Sequence, residues 1–111
     1  MLMSTKYLYV ISALSNKNGP CKIGMSQDPH KRMAQLQTAY PERLNVWYVE
    51  EVDIEKCSSF ERMIHKDIKY KQTHGEWFNL TVDEAIAHLQ HTIIYYDYKI
   101  KKKIEYPSIN Y

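Results

Sequence analysis

Two segments with helical spacing carry polar residues at or near their apolar faces, and these are the residues whose chemistry needs an account. Over residues 54–70, Ile54, Cys57, Phe60, Ile64 and Ile68 recur so that, at about 100° per residue, they fill one face of a helix. Glu61 falls inside that apolar arc, and His65, four residues later, lies at its edge. An inward carboxylate must pair with a cation, ligate a metal or line a cleft, because burying the bare charge is too costly. Over residues 29–39, Met33 and Leu36 form a stripe that continues to Tyr40, and Arg32 sits about 40° outside it. That places a guanidinium at the boundary between core and solvent, facing either water or a cleft. Lys31 and His30 point further out.

The elements that would hold these groups follow from pattern and turn chemistry. Residues 7–12 (YLYVIS) and 21–26 (CKIGMS) read as strands joined by a turn at 15–20 (SNKNGP), which suggests a hairpin. Asp28 and Pro29 predict a helix start, and Pro41 stops that helix near Ala39. Residues 44–52 (LNVWYVEEV) are the most strand-like run, and Asp53 is placed to cap the helix over 54–70. A loop is expected at 71–75 and a short strand at 76–80 (EWFNL), with Trp77 and Phe78 in the core beside Trp47 and Tyr48. Thr81-Val82-Asp83-Glu84 is a capping-box pattern ahead of the stripe Val82, Ala85, Ile86, Leu89 and Ile93. From Ile93 to Ile100 the pattern fits either continued helix or a strand. The expected order is β-β-α-β-α-β-α: an α+β fold with a small mixed or antiparallel sheet flanked by helices. Residues 1–98 would form its single domain, and 99–111 a basic tail.

Composition narrows the function classes. A chain of 111 residues holds one domain, and 44% hydrophobic with 25% charged residues is a globular balance. The apolar runs are too short for a membrane span, no signal-peptide pattern is present, and Cys21 and Cys57 are too few for a disulfide framework. These features predict a cytoplasmic protein with reduced thiols. The net charge of +2 is uneven: residues 1–98 carry eleven basic and twelve acidic side chains, whereas 99–111 carry four lysines against Glu105. Phosphate contacts must therefore come from local clusters. One candidate cluster is the tail itself, where Lys99, Lys101, Lys102 and Lys103 follow Tyr95, Tyr96 and Tyr98, a composition suited to phosphates and stacked bases. The alternative for the tail is a frayed terminus whose lysines serve solubility. Cys21, Cys57, His65, His74, His88 and His91 have no zinc-ligand spacing.

Tyr7-Leu8-Tyr9, Lys22-Ile23-Gly24, Arg32, Glu61-x-x-x-His65 and Gly75-Glu76-Trp77-Phe78, in that order, resemble the GIY-YIG nuclease superfamily over about residues 7–90. The likeness is greatest to its small phage-type DNA-binding branch, in which KIG replaces YIG and a Glu-Trp-Phe segment follows the Glu/His helix. Tyr7 stands where the first motif has Gly, and Lys22 where the second has Tyr. The resemblance implies a cleft on a small mixed sheet, into which Tyr9 and Lys22 project beside Arg32 and Glu61. Alternation agrees, since Tyr7 and Tyr9 share one strand face, as do Lys22 and Gly24. Gly24 would allow close approach of substrate or helix.

The implied reaction is metal-dependent hydrolysis of a DNA phosphodiester. Glu61 would hold Mg²⁺ or Mn²⁺ through oxygen, and Arg32 would clamp the phosphate bidentately. Tyr9 would act as general base or water-orienter. A phenol with pKa near ~10 needs help for that, expected from Lys22 and the metal. His65 would orient Glu61, contact a metal-bound water, shuttle a proton, or merely pack. Glu76 would pair with a lysine, and Asn79 would line the cleft or bond backbone. Lys31 joins the tail lysines as a nucleic-acid contact. The alternative function is a DNA-binding module that keeps the scaffold without useful catalysis; a protein-interaction domain is a third. A phage or viral source, and so a host cytoplasm, follows from the resemblance alone.

Overall fold

The computed structural model describes residues 5–15 and 19–105, with side chains for 6–15 and 19–96. Five strands form one antiparallel sheet: β1 (Thr5–Ala13), β2 (Cys21–Ser26), β3 (Leu44–Asp53), β4 (Gln72–His74) and β5 (Trp77–Phe78). Their order is β3-β1-β2-β5-β4. Three helices, α1 (Pro29–Gln37), α2 (Ile54–Asp67) and α3 (Val82–Glu105), cover it. The expected α+β class holds.

Alternation along β1 divides the core into two layers. Leu8 and Val10, with Cys21, Ile23 and Phe78, face α2 and α3 through Cys57, Phe60, Ile64, Val82, Ala85 and Leu89. Tyr9 and Ile11 face the opposite way and meet Leu44 and Trp77, with Met33 and Leu36 of α1 and Tyr40 packed against them. Trp77 is sandwiched there, stacked on Tyr40 at 5.1 Å. Both cysteines are free and buried.

The helix starts show what local chemistry settled. The Asp28 side chain accepts the Lys31 N–H at 3.1 Å, with Pro29 in the first turn. Thr81 and Glu84 form the reciprocal capping box, Glu84 N–H to Thr81 Oγ1 at 3.0 Å and Thr81 N–H to Glu84 Oε1 at 2.9 Å. Asp53, expected as a side-chain cap of α2, occupies the N-cap position without a capping bond; its carboxylate lies 4.0 Å from Lys56 Nζ.

Several boundaries differ from expectation. Helix α1 ends at Gln37, ahead of Ala39. Helix α2 closes at Asp67, and Lys69–Lys71 tighten into a 3-10 turn. The expected loop at 71–75 contains β4, and the expected strand 76–80 is only Trp77–Phe78. Gly75, at φ 55°, makes the reversal between them, and Gln72 Nε2 donates to the Gly75 carbonyl at 2.6 Å. The ambiguous stretch from Ile93 is helical: buried Thr92 and half-buried Ile93 and Tyr96 extend the Leu89 stripe, and Tyr96 meets Phe60 edge-on at 4.8 Å.

Candidate active site

The short β5 opens the site. It pairs with β2 only at Cys21 and Lys22, and the Glu76 carbonyl accepts the Ile23 N–H at 3.1 Å. Beyond that point no strand of the described residues pairs with β2 on its β5 side, so side chains from both layers reach the same strand end.

Each residue of Lys22-Ile23-Gly24 has a distinct job there. Lys22 is 6% exposed yet charged, because its Nζ lies 2.9 Å from Glu76 Oε1 and 5.9 Å from the Trp77 ring centre. The Ile23 carbonyl accepts from His65 Nε2 at 2.8 Å. Since a carbonyl only accepts, Nε2 carries a proton, which leaves Nδ1 as the ring nitrogen free to face the cluster. Gly24 lies opposite Tyr9 across the β1–β2 pair, and a Cβ there would sit 2.5 Å from the Tyr9 hydroxyl and 3.1 Å from Glu76 Oε1. The Tyr9 ring therefore crosses Gly24 to bring its hydroxyl toward Glu76.

Glu61, inside the apolar arc of α2, is half-buried. Glu61 and His65, one turn apart on α2, meet Glu76 so that one ligand atom from each lies within 4.8 Å of the others. Burial, then the Glu76 carboxylate, pushes Glu61 above the usual carboxylate range, while His65, Lys22 and Lys6 draw it down. Tyr9 is raised as well: burial dominates, Glu76 and Glu61 add to it, and a hydrogen bond from Arg32 opposes it. Lys22, expected with the metal to lower Tyr9, is engaged by Glu76 instead, and the bond that opposes the rise comes from Arg32, which was not expected to act on Tyr9. Arg32 is exposed, with a second long bond of 3.4 Å to Gln35 Oε1. It borders an open groove of about 420 Å³ with Lys6, Lys31 and Asp28.

The structure thus gathers Tyr9, Lys22, Gly24, Arg32, Glu61, His65 and Glu76 around one strand end. Tyr7 stands on the same face of β1, half-buried and opposite Ser26. Asn79 does not join the cluster by any bond: its side chain is exposed, and its N–H bonds the Lys71 carbonyl at 2.7 Å. The side chains of Lys99, Lys101, Lys102 and Lys103 lie outside the described residues, on backbone that continues α3. Lys6 was not singled out by sequence, yet it acts electrostatically on Glu61 and lines the Arg32 groove. Its signal was a charge in the two-residue register of Leu8 and Val10.

Replacing Lys22 tests the electrostatics while leaving Glu61, His65 and Glu76 in the chain. Lys22→Met leaves Glu76 beside Glu61 without its cation. The expected loss is about 1 kcal/mol at neutral pH, since Glu76 is 40% exposed and screened. Stability should recover as the pH falls and Glu61 takes up a proton, read by chemical denaturation. An unchanged denaturation midpoint at both pH values would refute the electrostatic account.

Fold and site together define a small α+β domain with a carboxylate–imidazole cluster set beside a tyrosine–arginine pair. The chain belongs to the T5orf172 domain family, which matches residues 6–92. This is a phage-associated domain of nuclease-related type. No curated protein and no solved structure matches the chain. No described helix is long and apolar enough to cross a membrane.

Proposed function

We propose that the chain is a metal-dependent DNA endonuclease or nicking enzyme of the GIY-YIG type, using Mg²⁺ or Mn²⁺. The observation that carries this reading is the convergence of Glu61, His65 and Glu76 within 4.8 Å beside the Tyr9–Arg32 pair. Two carboxylates and an imidazole fit a small divalent cation, with Glu61 the principal oxygen donor. Such a cation, when bound, supplies charge neutralisation at the phosphoryl oxygens.

The chain's own residues do the rest. Arg32, exposed at the groove mouth, presents its planar fork to a phosphate while bonding Tyr9. Tyr9 is a neutral phenol at neutral pH, because burial and two glutamates raise it. It therefore positions the attacking water through its hydroxyl oxygen, as an acceptor of a hydrogen bond from that water, and does not itself take up the proton. Lys22 holds Glu76 in place, and the Ile23 carbonyl holds His65. This constellation stabilises developing charge by prepositioned groups.

Supercoiled plasmid, incubated with Mg²⁺ or Mn²⁺, should yield nicked or linear DNA with the wild type and none with EDTA or Arg32→Ala. The second reading is a DNA-binding module without catalysis. It is favoured by the 1% exposure of Tyr9, which leaves little of the phenol in reach of water. DNA binding that survives EDTA and Glu61→Ala, with no product from any DNA form, would select it.

A further inference from the structure

A second open groove, of about 330 Å³, is lined by His65 of the cluster and shares no lining residue with the Arg32 groove. Arg62, Lys66 and Lys69 line it with Gln72, and His65 and Phe78 form its inner wall. His65 is thus shared between this groove and the Glu61–His65–Glu76 set, as Arg32 is shared between the first groove and Tyr9. Each groove thus meets the site through one of its residues, and a strand lying in both would take a path past the cluster.

Charge follows that path. Lys6, Lys31 and Arg32 border the first groove and Arg62, Lys66 and Lys69 the second, six of the eleven basic residues within 1–98. Arg62, Lys66 and Lys69 are exposed, and none of them has an ion pair among the described residues. The dipole of α2 accounts for a cation at Lys66, in its last turn. It does not account for Arg62, one turn earlier, or for Lys69, beyond the helix end. At the opposite edge of the sheet, the groove along β3 is lined instead by Glu50, Glu51 and Asp53, with Lys56 among them. A polyanion is therefore drawn to the two cationic grooves and repelled from the groove along β3.

We infer that Arg62, Lys66 and Lys69 form a phosphate-binding groove that carries the sugar-phosphate chain of the DNA strand onward from the reacting phosphate. The inference rests on the DNA reading above and adds a consequence to it. With one cationic groove meeting the site at Arg32 and another at His65, phosphates are held both before and after the reacting one. The site then takes an internal phosphodiester, and a mononucleotide or strand end fills only half of the path.

The test is binding of a labelled DNA duplex in EDTA as a function of salt. Compared are the wild type, the triple variant Arg62→Gln/Lys66→Gln/Lys69→Gln and the control Lys56→Gln. Each phosphate contact contributes about 0.9 to the slope of log affinity against log salt. The triple variant should lose up to about 2.7 of that slope and bind roughly tenfold or more weakly at about 0.1 M salt. Lys56→Gln should match the wild type, and all three should melt alike because the changed residues are on the surface. A triple variant with wild-type slope and affinity overturns the groove while leaving the DNA reading intact. A wild type that shows no salt-dependent binding overturns the DNA reading and this inference with it.

Discussion

Glu61→Gln should abolish cleavage while making the metal-free protein more stable. The amide keeps the size of the side chain but gives up the charge that would hold a divalent cation. Loss of several kcal/mol of transition-state charge stabilisation corresponds to roughly a 10³-fold fall in rate. Stability should move the other way. In the folded chain Glu61 is pushed up by burial and then by the Glu76 carboxylate. A carboxyl that is raised on folding stabilises fully below its unfolded pKa, and that contribution is lost as pH rises through the folded value. At neutral pH the ionised Glu61 is therefore a burden that the amide removes.

The expected record is a higher melting temperature for Glu61→Gln than for wild type at pH 7 in EDTA, with the difference closing toward pH 4. Added Mn²⁺ should reverse the ranking. A cation at one hundred times its dissociation constant stabilises the folded state by about 2.7 kcal/mol, and only the wild type should gain it. An equal metal-induced rise in both proteins would remove Glu61 from the metal site, whatever happened to cleavage. Equal melting in EDTA across the pH range would instead discard the like-charge argument. A site that is more stable without its own ligand is the usual sign of function held against stability.

What the sequence disclosed depends on whether the signal was local. Glu61 broke a helical apolar arc, Asp28 preceded Pro29, and Thr81 preceded Glu84 by three; each rule spans a turn or two and each feature is found. Glu76 is different. Nothing near it marks it as the partner of Lys22, because 54 residues separate the two and only the β2–β5 pairing joins them. The β4–β5 hairpin escaped for a related reason. Gln72, Thr73 and His74 are all exposed, so β4 has no alternation to read. The lysines and arginine of the second groove lie on the outer face of α2 and past its end, where helical spacing alone gives no sign of a site. Only the position of His65, with its ring on the Ile23 carbonyl, turns that face into a neighbour of the site.

Gly24→Ala should disable the site from the opposite side of the cluster, by displacing Tyr9 while leaving every charged group in the chain. The added Cβ would lie 2.5 Å from the Tyr9 hydroxyl oxygen, 2.8 Å from Cζ and 3.1 Å from Glu76 Oε1. A phenol ring cannot bend away as a lysine tip does. Tyr9 is 1% exposed between β1 neighbours and the Trp77 layer, so it must rotate against packed atoms or push the strands apart. Overpacking of this kind costs about 1–3 kcal/mol, read as a lower denaturation midpoint. A hydroxyl moved by about 1 Å from its working position costs roughly 10²-fold in rate. Tyr9→Phe in the Gly24→Ala background separates the two effects. Removing the hydroxyl relieves the shortest contact and should restore part of the stability, since the two changes touch each other and are not additive. It should restore no cleavage, because the group that positions water is gone. Wild-type stability and cleavage in Gly24→Ala would mean that Tyr9 does not need to cross Gly24, and the role given to this glycine would fall. Stability restored together with cleavage in the double variant would spare the glycine and remove Tyr9 from the chemistry.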